Sequence, residues 1–184
     1  MTKISVVFHS GYGHTLRMAQ AVAEGSGADL LAIDADGLLS ESGWDTLAAA
    51  DAIIMGSPTY MGSVSWQFKR FSDASSKQWF CEAWKDKVFA GFTNSAAING
   101  DKLSTLHYLF TLAMQHSGIW VGTGMKASNS KGAQRNDINY LGSYSGSIAQ
   151  SPSDASAAEM AQGDLDTARL FGQRVAAITQ KMRG

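Results

Sequence analysis

The sequence predicts an α/β chain: a single doubly wound domain over residues 1–184, with a five-stranded parallel sheet of order 2-1-3-4-5 and helices on both faces. Two observations carry this expectation. Short β-rich apolar runs alternate with stretches of helical periodicity, and five such units fit within 184 residues. With 45% hydrophobic residues and only 17% charged ones, the chain can bury one sizeable core.

The elements follow in order. "ISVVF" (4–8) is a short apolar run bounded by turn residues, which suits a buried strand. After it, Leu16, Ala19 and Ala23 share one face of a helix. "LLAID" (30–34) is a weaker second strand, and a short helix covers 44–50. "AIIMG" (52–56) is the third strand, with a helix over about 65–75, and "VFAGF" (88–92) is the fourth. Leu103, Leu106 and Phe110 mark the next helical face, and "IWVG" (119–122) is the fifth strand. Phe171, Val175, Ile178 and Met182, at spacings of four, three and four, mark a last helix. Residues 125–155 are rich in Ser, Gly and Asn and too long for a plain connection, so they are either functional or disordered. The pattern as a whole is that of a flavodoxin-like fold.

Charge narrows the range of partners. Lys and Arg number 15 against 16 Asp and Glu, a formal net charge of -1. No broad field therefore attracts nucleic acid or an anionic membrane, and no basic stripe suits a nucleic-acid face. The single cysteine, Cys81, cannot form an internal disulfide and reads as an inert buried thiol; no Cys/His spacing suggests a metal. The apolar start is too short for a secretory core and no run approaches a membrane span, so a cytoplasmic location is expected.

In a sheet of this order the loops leaving the first and third strands splay apart and leave a ligand-binding crevice. Three loops should meet there: "HSGYGHT", "GSPTYMGSVSW" and "TNSAAINGD". In the first, Ser10, Gly11, Tyr12, Gly13, His14 and Thr15 lead into a helix N-terminus. There the unpaired N–H groups and the helix dipole favour an anion, with the Ser10 and Thr15 hydroxyls as further donors. A phosphate monoester held by neutral hydrogen bonds fits this loop. Helix capping by Ser10 or Thr15 and a plain glycine turn would also account for it, but the two companion loops favour a ligand. The second loop places Pro58, Thr59, Tyr60, Met61 and Gly62 where a stiff turn and a flat or polarizable surface suit an isoalloxazine ring; plugging the core is the alternative for Tyr60 and Met61. The third contributes Thr93, Asn94, Ser95, Ala96 and Asn99. A G-x-G-x-x-G dinucleotide fingerprint is absent, Asp34 being a weak ribose partner, and so is a G-K-[ST] phosphate loop.

The segments "VVFHSGYGHT", "ADAIIMGSPTYMGSVSWQFKRFSD" and "NYLGSYSG" resemble the flavodoxin-like NAD(P)H:quinone oxidoreductases of the tryptophan-repressor-binding-protein (WrbA) type. The resemblance implies a bound FMN that accepts hydride from NADH or NADPH and passes two electrons to a quinone. It places residues 10–15 on the FMN phosphate and Thr59, Tyr60 and Met61 along the flavin. It also sets Trp79 over the quinone site and His116 beside the flavin as catalytic residues, and implies a homo-oligomer, dimer or tetramer. The family's glycine-rich third loop has here lost most of its glycines, and Arg135 is only a weak candidate for a nucleotide phosphate. Two alternatives stay open: a flavodoxin-type electron carrier, which would want a strongly acidic docking face, and an FMN-dependent reductase of free flavin, a nitro or azo compound, or chromate.

Overall fold

All five residues of β1 (Ile4–Phe8) are buried, which is what a central strand covered on both sides requires. In the computed structural model, which describes residues 2–184, β1 pairs in parallel with β2 (Asp29–Ala32) on one side and β3 (Ala52–Tyr60) on the other. Beyond β3 lie β5 (Val88–Ser95) and β6 (Ile119–Trp120), giving the order β2-β1-β3-β5-β6. With a short hairpin strand, β4 (Ser63–Val64), set aside, this is the expected 2-1-3-4-5 order. The edge strand β2 is largely exposed, unlike the buried run anticipated there.

Two strands run further than the apolar pattern indicates. β3 continues through Ser57, Pro58 and Thr59 and β5 through Thr93 and Asn94, with Ser57 opposite Thr93 and Pro58 opposite Asn94. Pro58 is tolerated because β1 pairs with β3 only as far as Gly56, so no ladder partner from β1 needs its missing N–H. The β3–β4 hairpin turns on Met61 (φ 47) and Gly62 (φ 79), two successive left-handed residues that match the twist of the flanking strands.

The fifth strand is split. β6 pairs with the start of β5, and β7 (Ser147–Gln150) pairs in parallel with its end. The chain between them, 121–146, is an excursion closed by turns, so the long polar segment is held against the body and contributes a strand. Within it, Asn139 takes the N–H of Ser143 (3.0 Å) on its side-chain oxygen and donates to the Met125 carbonyl (3.1 Å).

Helices cover both faces. α1 (His14–Ser26) and α6 (Gln162–Arg183) lie over one, burying Met18, Val22, Phe171 and Val175 with Val6 and Ile54. They cross so closely that a Cβ on Gly172 would stand 2.2 Å from the Val22 carbonyl oxygen. α2 (Glu41–Ala49), α3 (Trp66–Ala74) and α5 (Lys102–Gln115) cover the other face, around Leu47, Phe68, Phe71, Trp84 and Phe89. A five-residue helix, α4 (Ser76–Phe80), continues from α3. The buried side of α5 is Lys102, Thr105, Leu106, Leu109 and Ala113, while Leu103 and Phe110 are exposed. Apolar periodicity pointed to another face because polar contacts of Lys102 and Thr105, described below, fix the helix's rotation. Cys81 is exposed rather than buried, its Sγ donating to the Lys77 carbonyl at 3.2 Å. Among the described residues no helix is long and apolar enough to cross a membrane.

Candidate functional site

The ends of β1, β3 and β5 meet at one edge of the sheet around a cavity of about 620 Å³, within the range of small-molecule sites. Its lining combines Tyr12, His14 and Thr15 from the first loop, Pro58, Thr59 and Tyr60 from β3, and Asn94, Ser95 and Ala96 from β5 and its turn. The three stretches expected to converge therefore do so.

Four backbone donors stand open at the start of α1. Among the described residues, the N–H groups of Gly11, Tyr12, His14 and Thr15 have no acceptor, whereas those of Gly13 and Leu16 donate to Ser10 Oγ at 3.2 and 3.1 Å. Gly13 precedes the helix at φ 90, a conformation natural to glycine. Gly11 is needed for a different reason, since a Cβ there would sit 2.6 Å from the Tyr60 hydroxyl oxygen. The first and second loops are thus in close approach through glycine.

Hydroxyls knit the walls together instead of all standing free for a ligand. Buried Thr15 donates to Asn94 Oδ1 at 2.7 Å, and Asn94 Nδ2 donates to Ser151 Oγ at 2.8 Å. The Thr15 hydroxyl, which sequence reasoning counted as a ligand donor, is committed to joining the first and third loops. Behind the cavity Thr59 Oγ1 shares hydrogen bonds with Thr93 Oγ1 (2.9 Å) and Thr105 Oγ1 (2.8 Å), linking β3, β5 and α5. Tyr12 is 80% exposed and meets Tyr60 edge to face, with centroids 6.3 Å apart at 71°. Desolvation, aided by nearby Tyr12, raises the Tyr60 pKa, so its phenol remains protonated at neutral pH.

A fourth wall escaped the sequence reading. Ser151, Ser153 and Ala155 line the cavity from the far side, after β7. His14 Nε2–H donates to the Ala155 carbonyl at 2.9 Å, tying this wall to the start of α1. The signal was faint: a Ser/Pro cluster at the end of a long polar segment, followed by Ser156 and Glu159 spaced as a capping box, which the structure forms.

Other expected site residues lie elsewhere. Met61 is fully exposed at the hairpin turn with Gly62 beside it, and Asn99 is exposed on the outer part of the 95–100 turn; none of the three lines the cavity. His116 is the C-cap of α5, whose first residue is Lys102 at the crevice turn, so the 14-residue helix carries it about 20 Å away. It is 4% exposed and packs on Trp84 (4.5 Å between centroids) and near Phe89, with Nε2 3.0 Å from Ser75 Oγ. Burial lowers its pKa to about 4. The imidazole is therefore neutral at physiological pH. Trp79 belongs to the same region, its N–H donating to the Ser75 carbonyl at 3.0 Å. Within this chain neither residue reaches the crevice. Arg135 is paired bidentately with Asp164 at 2.7 and 2.6 Å.

Comparison with known proteins agrees with this architecture. Residues 43–132 match the model of the NADPH-dependent FMN reductase family. The chain is 53% identical over 182 residues to flavodoxin FldP of Pseudomonas aeruginosa, covering 99% of both proteins. It is 30% identical over 206 residues to an NAD(P)H dehydrogenase (quinone) of Archaeoglobus fulgidus, covering 99% of this chain and 100% of that protein. Its structure matches the crystal structure of a WrbA-like flavodoxin from Agrobacterium tumefaciens with a TM-score of 0.81 and 55% identity, over 98% and 99% of the two chains. The chain belongs to the WrbA-like flavodoxin family.

Proposed function

We propose that this protein binds FMN in the crevice and transfers two electrons from NADH or NADPH to a quinone or similar small acceptor. The observation that carries this reading is the set of four unpartnered N–H groups at the α1 N-terminus, on a loop that walls a cavity of about 620 Å³. Such a cluster of oriented donors fits a phosphate group, and the remaining walls are uncharged and partly aromatic, as a flat heterocycle requires. The NAD(P)H dehydrogenase (quinone) relatives support the choice of donor and acceptor.

FMN, when bound, supplies the ring that accepts and passes on hydride. The protein's part is to hold and shield it. The Gly11–Thr15 backbone would hold the phosphate, Pro58 to Tyr60 and Asn94 to Ala96 would flank the ring, and the Tyr12–Tyr60 pair would narrow the mouth against water. The Thr59–Thr93–Thr105 hydroxyls fix the strand ends so that these walls are preorganised. No side-chain acid or base need act, which accords with the distance of His116 from the crevice.

A second reading, an electron carrier, is favoured by the flavodoxin names of the 53% and 55% identical relatives. The net charge of -1 gives such a carrier little field with which to steer a partner protein. Anaerobic stopped-flow separates the two. Flavin-loaded protein should bleach in one two-electron phase with NADH or NADPH, and a quinone should restore its colour without another protein. Reduction by dithionite but not by either nicotinamide nucleotide would establish the carrier instead.

A further inference from the structure

The turn that forms the third wall is built around a cation. Lys102, the first residue of α5, is 1% exposed, and its Nζ donates to Ser95 Oγ at 2.7 Å and to the Ala97 carbonyl at 2.6 Å. Ser95 and Ala96 line the cavity. The ammonium thus stands one hydrogen bond behind the cavity wall, where low dielectric lets a charge act strongly. The turn folds one hydroxyl and one carbonyl onto the lysine.

That charge has no private counter-ion. Residues 95–100 carry no ionisable side chain. Asp164 on α6 acts on Lys102 favourably and Arg135, in the 121–146 excursion, unfavourably. The Asp164 carboxylate is already occupied by the two Arg135 hydrogen bonds and by the Gln150 N–H at 2.9 Å. The carboxylate is thus shared with the guanidinium, and the hydrogen bonds of the ammonium itself go to neutral acceptors, Ser95 Oγ and the Ala97 carbonyl. Asp101 precedes Lys102 and has no side-chain capping bond to the helix.

We propose that Lys102 is an electrostatic positioning residue for flavin reduction: its ammonium behind Ser95 makes the crevice hold reduced, anionic flavin more tightly relative to the oxidised form. The proposal rests on the FMN reading. NAD(P)H gives up a hydride and leaves as NAD(P)⁺, and the flavin that takes up the hydride gains one negative charge, as FMNH⁻. A cation behind the wall favours that added charge. Lys102 also shapes the turn, so the test must separate charge from shape. Burial lowers its pKa to about 8, which supplies the means: the lysine can lose its charge near that pH, whereas an arginine cannot.

The experiment is dye-equilibrium measurement of the midpoint potential of bound FMN, relative to free FMN, from pH 7 to 9.5. It uses the wild-type protein, Lys102→Met and Lys102→Arg. Lys102→Met should lower the ratio of oxidised to reduced dissociation constants about tenfold, a potential roughly 30 mV more negative for a two-electron couple. Lys102→Arg should keep the wild-type ratio at pH 7. The wild-type ratio should fall towards that of Lys102→Met as pH rises past about 8, while that of Lys102→Arg stays level. Equal ratios in all three proteins, or an arginine variant that behaves like the methionine one, would overturn the proposal. Should Lys102→Met fail to fold, the diverging pH profiles of wild type and Lys102→Arg decide alone, and parallel profiles overturn it. Wild-type protein that binds no FMN would instead refute the cofactor reading.

Discussion

Removing only the phosphate from the ligand tests the α1 cradle most directly. Riboflavin keeps the ring and the whole ribityl chain of FMN but offers no phosphate oxygens to the open N–H groups of Gly11, Tyr12, His14 and Thr15. A hydrogen bond to a charged group contributes about 1.5–3 kcal/mol. Counting one bond for each of three terminal phosphate oxygens at the lower value gives roughly 4.5 kcal/mol, or about 2,000-fold in Kd. The helix dipole adds about 0.3–1 kcal/mol more. Quenching of flavin fluorescence on titration with protein measures both constants. Because the cavity lining holds no Lys or Arg, the FMN constant should change little between low and moderate salt. Riboflavin binding within about tenfold of FMN would refute the cradle, and a steep salt dependence would show that side-chain cations, not peptide groups, hold the phosphate.

Acid should expose the buried imidazole of His116. Its pKa is depressed from 6.5 to about 4, so its contribution is full above pH 6.5 and is lost as pH falls towards 4; from pH 7 to 5 that loss comes to about 2 kcal/mol. Urea denaturation at the two pH values should show a smaller drop for His116→Gln than for wild type, and equal drops would contradict the assignment. Gly172→Ala should destabilise the fold by about 1–3 kcal/mol through overpacking, because its Cβ would meet the Val22 carbonyl oxygen at 2.2 Å. As α1 carries the cradle, FMN should also bind more weakly, and an unchanged urea midpoint would show that the helices separate freely.

Periodicity revealed the strands that are largely apolar, and β1 matched residue for residue. It failed where strands turn polar. Polar side chains there are held by hydrogen bonds rather than by burial of hydrocarbon, Ser57 to Ser65, Thr59 to Thr93 and Thr105, and Asn94 to Thr15 and Ser151, so the ends of β3 and β5 looked like loops. The same competition misled the reading of α5, where Lys102 and Thr105 face inward because partners await them. The loops of the crevice were legible because glycine and hydroxyl residues cluster at the ends of the first and third strands. Its Ser151–Ala155 wall was only faintly marked, since its contact with His14 spans 141 residues and no local pattern points to that partner. The surroundings of His116 were illegible for a related reason: they depend on Trp84, Phe89 and Ser75, which only the fold brings together.

The split fifth strand separates length from geometry. β6 ends opposite Phe89 and β7 begins opposite Phe92 on the same strand, so the excursion leaves and rejoins the sheet about 10 Å apart. Closing a flexible segment costs little more when it is lengthened. Insertions and deletions among residues 121–146 can therefore accumulate during divergence without disturbing the ligand-gripping edge. Arg135 is the point at which that excursion is tied back to the body, through its two hydrogen bonds to Asp164 on α6.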